Sequence, residues 1–330
     1  MRNLILLLSL ALLLSCSNEQ QGGKKATVKG KSSSAPYELL VVCNKDWLAT
    51  ANGEALKTIV NAEIPGLPQS ESYFRTTTID PSNFNSSFMY YAHVVRAEVS
   101  RKYAKAECKV ARDVYCQPQI IVSLTAPDDA AFAQLCDQHR QQIIELFNNA
   151  ELQREKRLLA KKSSPIVTQH AKKMFGCRLL APGEINAIKT GRNFFWASSN
   201  TETDNYLNIC MYSYPYTSQE TFTLPYFVQQ RDSFMRPNIR GNHDNQYMSL
   251  NEQTLMTRDL MVNGHYVQEV RGLWQMAHDA MGGPFVSYSQ VDTTLNRVLV
   301  VEGFVFAPNK EKRFFMRQLE AALQTLEVIQ

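Results

Sequence analysis

Apolar residues recur along this chain in three rhythms, and each rhythm predicts a different kind of segment. The first is an unbroken run from Leu4 to Leu14. A spanning helix needs roughly 20 apolar residues, so this stretch reads as the hydrophobic core of a signal peptide. Residues 17–35 then carry Ser, Gly, Gln and Lys with no apolar period, which describes a flexible tether. Past the tether, Tyr37–Cys43 is a short apolar run and Trp47–Val60 has helical spacing. Pro65-Gly66-Leu67-Pro68 interrupts regular structure, and Phe88–Val99 and Val114–Thr125 are rich in β-formers.

Thr125 to Asp128 predicts a helix start, with Thr125 as cap and two aspartates at the positive end of the dipole. Phe132, Leu135, Cys136, Ile143, Leu146 and Phe147 repeat at helical spacing toward Lys161-Lys162. A second helix restarts at Ser164 as N-cap and Pro165 as first residue, and Gly176 closes it. The domain junction is placed there, giving an N-terminal domain over 36–164 and a C-terminal domain over 165–330. In the latter, Phe194–Ser198 and Tyr206–Tyr214 read as strands around a turn at 200–205. Thr223–Met235 is an amphipathic helix. Leu255–Val262 and Tyr266–Trp274 flank Asn263-Gly264, a strong hairpin signal. Phe285–Val291 and Arg297–Phe306 form another hairpin, and Pro308-Asn309 opens a last helix with Phe315, Leu319, Leu323 and Leu326 on one stripe. The fold class expected is α+β, two domains, each a mostly antiparallel sheet packed with helices. The C-terminal order, β-β-α-β-β-β-β-α, is similar in topology alone to a PsbP-like α-β-α sandwich.

The chain start carries more than hydrophobicity. Arg2 supplies a positive charge, and Leu13-Leu14-Ser15-Cys16 resembles the lipobox of bacterial lipoproteins. That resemblance implies removal of residues 1–15, acylation of Cys16 with palmitate-type chains, and a membrane anchor facing the periplasm of the cell envelope. Each buried methylene contributes about 0.8 kcal/mol, so two or more chains hold a protein stably on a bilayer. Charge supports the division. The chain has 35 Lys+Arg and 31 Asp+Glu, of which the first 35 residues hold five cations and one anion, leaving 30 of each. A neutral folded part excludes a nucleic-acid partner, which needs a basic face; the bilayer is the expected partner, with an envelope protein or glycan as candidate ligand.

Tyr37-Glu38-Leu39-Leu40-Val41-Val42, Tyr212-Ser213-Tyr214-Pro215-Tyr216, Arg271-Gly272-Leu273-Trp274, Gly282-Gly283-Pro284-Phe285 and Val301-Glu302-Gly303-Phe304-Val305 stand out as blocks. Together with Pro65 to Pro68 they are similar to an uncharacterised lipoprotein family of Bacteroides-type bacteria, the DUF4837 family, a domain of unknown function. The resemblance implies an envelope location. It assigns no activity and carries over no functional residue.

Candidate chemistry is sparse. His243-Asp244, His278-Asp279 and His265 offer imidazoles and carboxylates, but adjacent residues on a loop rarely face one ion, so no metal and no cofactor is expected. No G-x-S-x-G, H-E-x-x-H, phosphate-loop or dinucleotide fingerprint occurs. Tyr212, Tyr214 and Tyr216 fall on one side of a strand and, if uncovered, suit stacking on a sugar or peptide. Trp274, His278, Asp279, Gly282 and Gly283 complete the candidate binding set, the glycines because they let a ligand approach backbone amides. The function expected is non-enzymatic ligand or protein binding; the alternative is an envelope hydrolase around His243 and His278. Six cysteines remain after Cys16, none spaced as C-x-x-C. If Ala111-Arg112-Asp113 is a hairpin loop, Cys108 faces Cys116 and the two can form a disulfide. Asp292-Thr293-Thr294 resembles the general O-glycosylation signal of Bacteroides-type envelope proteins, with Thr293 the acceptor.

Overall fold

The computed structural model describes residues 29–199 and 206–329. The expected signal peptide, Cys16 and the turn at 200–205 lie outside the described residues. Among those described, no helix is long and apolar enough to cross a membrane.

The N-terminal half begins with strand β1 (Glu38–Val42), helices α1 (Lys45–Ala49) and α2 (Glu54–Val60), and strand β2 (Arg75–Ile79). Strands β3 (His93–Val99), β4 (Glu107–Arg112) and β5 (Ile120–Ala126) complete a five-stranded sheet in the order β2-β1-β3-β5-β4. β1 pairs in parallel with both β2 and β3, and β3 with β5; β4 alone runs antiparallel, against β5. This corrects the mostly antiparallel sheet expected for this half. The physical reason lies in burial on both faces. Leu39, Val41, Val95 and Val122 pack under α2 and the long helix that follows, with Leu56, Ile59, Phe132 and Phe147. Leu40, Val42, Val94 and Ile121 point the other way, beneath Phe84, Phe88, Tyr91 and Tyr115. Strands sealed on both sides read as continuous apolar runs and are joined by crossover connections, here α1 and α2.

Helix α3 (Asp129–Lys161) follows, 33 residues long, a length of about 50 Å. Its cap is Asp128, whose side chain accepts from the Ala131 amide at 2.8 Å. Thr125, the expected cap, is still in β5. α3 serves two cores: Phe132, Leu135, Ile143 and Phe147 enter the N-terminal one, Leu152 and Leu159 the C-terminal one. Helix α4 (Pro165–Phe175) starts on the Ser164 hydroxyl and stops at Gly176, which adopts φ +63°.

The C-terminal sheet has seven strands: β6 (Ile185–Gly191), β7 (Phe194–Ser199), β8 (Tyr206–Pro215), β9 (Met248–Val262), β10 (His265–Met276), β11 (Gly282–Asp292) and β12 (Arg297–Phe306). Their order is β9-β10-β11-β12-β8-β7-β6, antiparallel throughout. Edge strand β6 was not among the expected elements; it is mostly open to water and lacks a clean alternation. β9 begins seven residues before the expected Leu255, continuing across a bulge between Asn251 and Met256. Helix α5 (Leu224–Asn238) covers one face, burying Phe227 and Met235 against Phe194, Tyr212, Phe285 and Val300. Helix α6 (Arg313–Leu323), α4 and the end of α3 cover the other. Across the whole chain the class is α+β with mostly antiparallel sheets.

The halves are joined at α6. The Glu71 carboxylate accepts from the Lys312 and Arg313 amides at 2.8 and 2.9 Å, satisfying orphan donors at a helix start that has no cap of its own. α3 packs along α6 beside this contact.

Candidate functional site

Two spacings bring charge to the junction. Glu269 and Arg271 are two apart on β10 and so share a face. Arg317 and Glu320 are three apart on α6 and lie on one stripe. All four are buried. Nε and a terminal nitrogen of Arg271 donate to Glu269 at 2.7 and 2.8 Å, and its remaining nitrogen donates to Glu320. Arg258, opposite Glu269 in the β9–β10 register, adds a 2.6 Å bond to the same carboxylate. Arg317 donates to Glu320 and to Asn148 of α3, with its guanidinium carbon 5.4 Å from the Tyr73 ring centre. Buried charge is tolerated only when paired and hydrogen-bonded in this way. Burial alone would raise the Glu269 carboxyl; Arg271 and Arg258 outweigh it and hold the group at about 2. Burial pushes the phenol of Tyr288, opposite Glu269 on the neighbouring β11, above its ordinary range.

Above this ionic floor opens a cleft of about 460 Å³ between α3, the β9–β10 hairpin and α6, lined among others by Asn148, Lys156, Arg258, Asn263, Tyr288 and Gln324. A second hollow of about 870 Å³ continues past His265, Gln290 and Thr325 and shares Lys156, Asn263 and Gln324 with the first. Both volumes fall within the roughly 300–1,000 Å³ of small-molecule sites. The hairpin tip is pinned over the cleft by Asn263, whose side-chain amide donates to the Gln324 carbonyl at 3.0 Å. Lys156 is half-buried on the common wall. Burial lowers its ammonium pKa, and no acceptor meets it among the described residues. The lining can therefore neutralise an acid group and hydrogen-bond hydroxyls or amides. It pairs no nucleophile with a base.

Apart from His265, which lines the larger hollow, the residues singled out from the sequence lie elsewhere. Tyr212 and Tyr214 do share a face, but α5 covers it: the Tyr212 ring stacks on Phe234 with centres 4.7 Å apart, and both tyrosines are buried. The open tyrosine row is thus corrected, and only Tyr216, half-buried against Phe222, keeps a surface. Trp274 is likewise core, its indole N–H donating to the Val305 carbonyl at 3.1 Å. A Cβ on Gly283 would sit 2.0 Å from that same carbonyl oxygen, so this glycine admits a neighbouring strand rather than an anion. Gly282 is held similarly, with a Cβ falling 2.9 Å from the Trp274 carbonyl oxygen.

The His243 and His278 loops do come together. Gln246 accepts from the His243 amide at 3.2 Å and donates to the His278 carbonyl at 3.3 Å and to Asp279 at 3.0 Å. Yet among the described residues neither imidazole bonds a carboxylate or hydroxyl, and no group of three potential metal ligands occurs. Cys108 and Cys116 are not paired: Cys108 stands opposite Leu124, while Cys116 pairs with Gly30 in a separate two-residue ladder, and both thiols are free. β4 runs on through Arg112, which pairs with Ile120, so the connection spans residues 113–119 and is closed by the Asp113 side chain accepting from the Gln119 amide at 2.8 Å. Thr293 is exposed at the β11–β12 turn. The preceding Asp292 accepts from the Thr294 amide at 3.0 Å and from Arg297 at 2.9 Å.

Sequence reasoning missed the junction cleft. The usable signals were charged residues at core-facing positions: Glu269 and Arg271 inside an apolar strand, and Arg317 and Glu320 beside the Leu319 stripe.

Residues 164–325 match a family described as a domain of unknown function, DUF4837, and residues 32–160 match a second, DUF8532. Among curated proteins nothing matches. A crystal structure from Bacteroides thetaiotaomicron VPI-5482 aligns at 10% identity and a TM-score of 0.22, over 46% of this chain and 45% of that one. A likeness that slight carries no argument about either molecule.

Proposed function

We propose, for a chain that belongs to the DUF4837 family through residues 164–325, a role as a lipid-anchored envelope protein that binds a polar ligand without transforming it. One observation carries the reading: Lys156 presents a half-buried ammonium with no acceptor among the described residues, on the wall shared by both hollows. A ligand bearing a carboxylate or comparable acid group supplies that acceptor, while the amides of Gln290, Asn263 and Gln324 suit the hydroxyls of a glycan or the backbone of a peptide. The interlocked Glu269, Arg271, Glu320 and Arg317 keep the floor rigid, which limits the ordering cost of binding. Gly30 and Lys31 pair with Cys116 and Gln117, so the tether expected over residues 16–35 ends before Gly30; with acyl chains on Cys16, the shorter tether would hold that strand within roughly 20 Å of the bilayer. The hydrolase alternative has less behind it, since Gln246 joins the two histidine loops through backbone and amide contacts rather than through a catalytic pair.

The test is calorimetric titration of the full acylated chain in detergent with acidic and neutral oligosaccharides and peptides. Saturable binding of an acidic member, weakened at least tenfold by Lys156→Ala at an unchanged melting temperature, is the expected result; tenfold corresponds to about 1.4 kcal/mol. Binding indifferent to both Lys156→Ala and Asn263→Ala, or no binding across the panel, defeats it. For the anchor, Cys16→Ser should abolish fatty-acid labelling and detergent partitioning.

A further inference from the structure

A neighbouring face of α3 holds a third hollow with different chemistry. It measures about 260 Å³ and lies between α3, the start of β3 and the Asp113–Gln119 connection. That is small for a whole drug-sized ligand, which takes about 300 Å³ or more, and ample for one oxyanion. Three arginines line it: Arg112 from the end of β4, and Arg154 and Arg157 one helical turn apart on α3, the last with its Nε donating to the Gln153 carbonyl at 3.2 Å. Arg112 and Arg157 meet no carboxylate among the described residues, and Arg154 reaches Glu151 only at 3.6 Å. Asp113 also lines the hollow, but one of its oxygens already accepts from the Gln119 amide at 2.8 Å.

The inner wall is a buried pair. His93 Nε2 lies 2.8 Å from Glu151 Oε1, and the two residues are 5% and 1% exposed. This contact leaves Glu151 Oε2 and His93 Nδ1 buried with no partner among the described residues. Buried polar atoms are nearly always hydrogen-bonded, so an unmatched carboxylate oxygen beside three cations describes half of a recognition site. The cations call for an anion. The free acceptor calls for a donor on that same anion. An oxyanion carrying an O–H meets both requirements, and a fully deprotonated one does not.

We propose that this hollow binds a protonated oxyanion, inorganic phosphate or the singly protonated form of a phosphomonoester, with Arg112, Arg154 and Arg157 donating to its acidic oxygens and Glu151 Oε2 accepting from its P–OH. Guanidinium forks match phosphate oxygens geometrically. Sulfate has the same shape and acidic oxygens but no hydroxyl at neutral pH, so Glu151 repels it.

The experiment titrates the full-length chain in detergent with inorganic phosphate, glycerol 3-phosphate and sulfate at fixed ionic strength and about pH 6, where roughly half of a phosphomonoester keeps its P–OH, read by calorimetry and by phosphorus NMR line width. Saturable phosphate or glycerol phosphate binding is expected, with sulfate at least tenfold weaker. The stronger of the two phosphates tells whether free phosphate or an esterified headgroup is the natural source. Arg112→Ala with Arg157→Ala, both exposed and harmless to the core, should weaken binding at least tenfold without lowering the melting temperature. Glu151→Gln should narrow the phosphate-to-sulfate ratio, checked for folding by its amide NMR spectrum. Absence of saturable phosphate binding, or binding that the double arginine variant leaves unchanged, overturns the site. Sulfate binding as tight as phosphate removes Glu151 from it. Neither arginine variant lines the junction cleft, so this result stands or falls apart from that reading.

Discussion

Arg231 and Glu302 face each other in complete burial, two guanidinium nitrogens donating to the carboxylate at 2.9 and 2.6 Å. The pair ties α5 to central strand β12, and the guanidinium carbon sits 5.0 Å from the Phe285 ring centre. Removing both charges from water offsets most of their attraction, so the pair specifies how α5 docks more than how strongly.

Breaking it from one side should therefore hurt more than removing it whole. Glu302→Gln strands a buried cation and is expected to lower the unfolding free energy by about 3–5 kcal/mol. Arg231→Met combined with Glu302→Leu should recover most of that loss. Urea denaturation of the three proteins decides it: a double variant as unstable as the single one means the pair is strongly attractive in net terms.

The pH response should carry two opposite signatures. Glu269, held at about 2 against an ordinary 4.5, contributes stability that is complete above the ordinary value and disappears as pH falls toward 2. Glu155 behaves inversely. Burial, with Glu151 nearby, raises its carboxyl, so its charge destabilises the fold at neutral pH and protonation relieves it. Glu155→Gln should accordingly raise the urea midpoint at about pH 7 and leave it unchanged at about pH 3. A midpoint unaffected at neutral pH would show that the carboxylate finds compensation.

Gly283→Ala separates packing from anion binding. A methyl placed 2.0 Å from the Val305 carbonyl must push β11 away from its surroundings, at a cost of about 1–3 kcal/mol. The melting temperature should fall and the Trp274 fluorescence should shift, because the indole donates to that same carbonyl. An unchanged melting temperature contradicts the close approach.

Glu71→Ala uncaps α6 from across the junction. Two amides lose their acceptor, and the loss expected is about 1–2 kcal/mol. Hydrogen exchange at Lys312 and Arg313 should accelerate selectively, while Glu71→Gln, which keeps one acceptor oxygen, should fall between. Equal acceleration throughout α6 would point to undocking of the whole helix.

What could be read from the residues depended on how local their physics is. Ser164, Pro165 and Gly176 set the ends of α4 through contacts within a few residues, and those ends were legible. Asn263-Gly264 marked its hairpin for the same reason. The direction of β1, β3 and β5 was not legible, because Leu40 and Val95 carry no sign of which way their neighbours run. Alternation put Tyr212 and Tyr214 on one face, but the rings that cover them, Phe234 and Tyr226, belong to another element. The Cys108 register turned on Arg112 pairing with Ile120, which leaves a connection over residues 113–119 where a tight loop was expected. The cleft unites Asn148, Arg258 and Gln324, residues far apart in the chain, and no short motif can announce such a meeting.

Helix α3 makes the two halves inseparable by simple cutting. The matched stretches abut between residues 160 and 164, just where that helix ends. Severed there, the leading half would expose Leu152 and Leu159 to water, and the trailing half would lose a strip of its roof. A graft between relatives must therefore carry the beam together with both of the rooms it spans, so substitutions at Leu152 and Leu159 are constrained by neighbours that belong to the other domain.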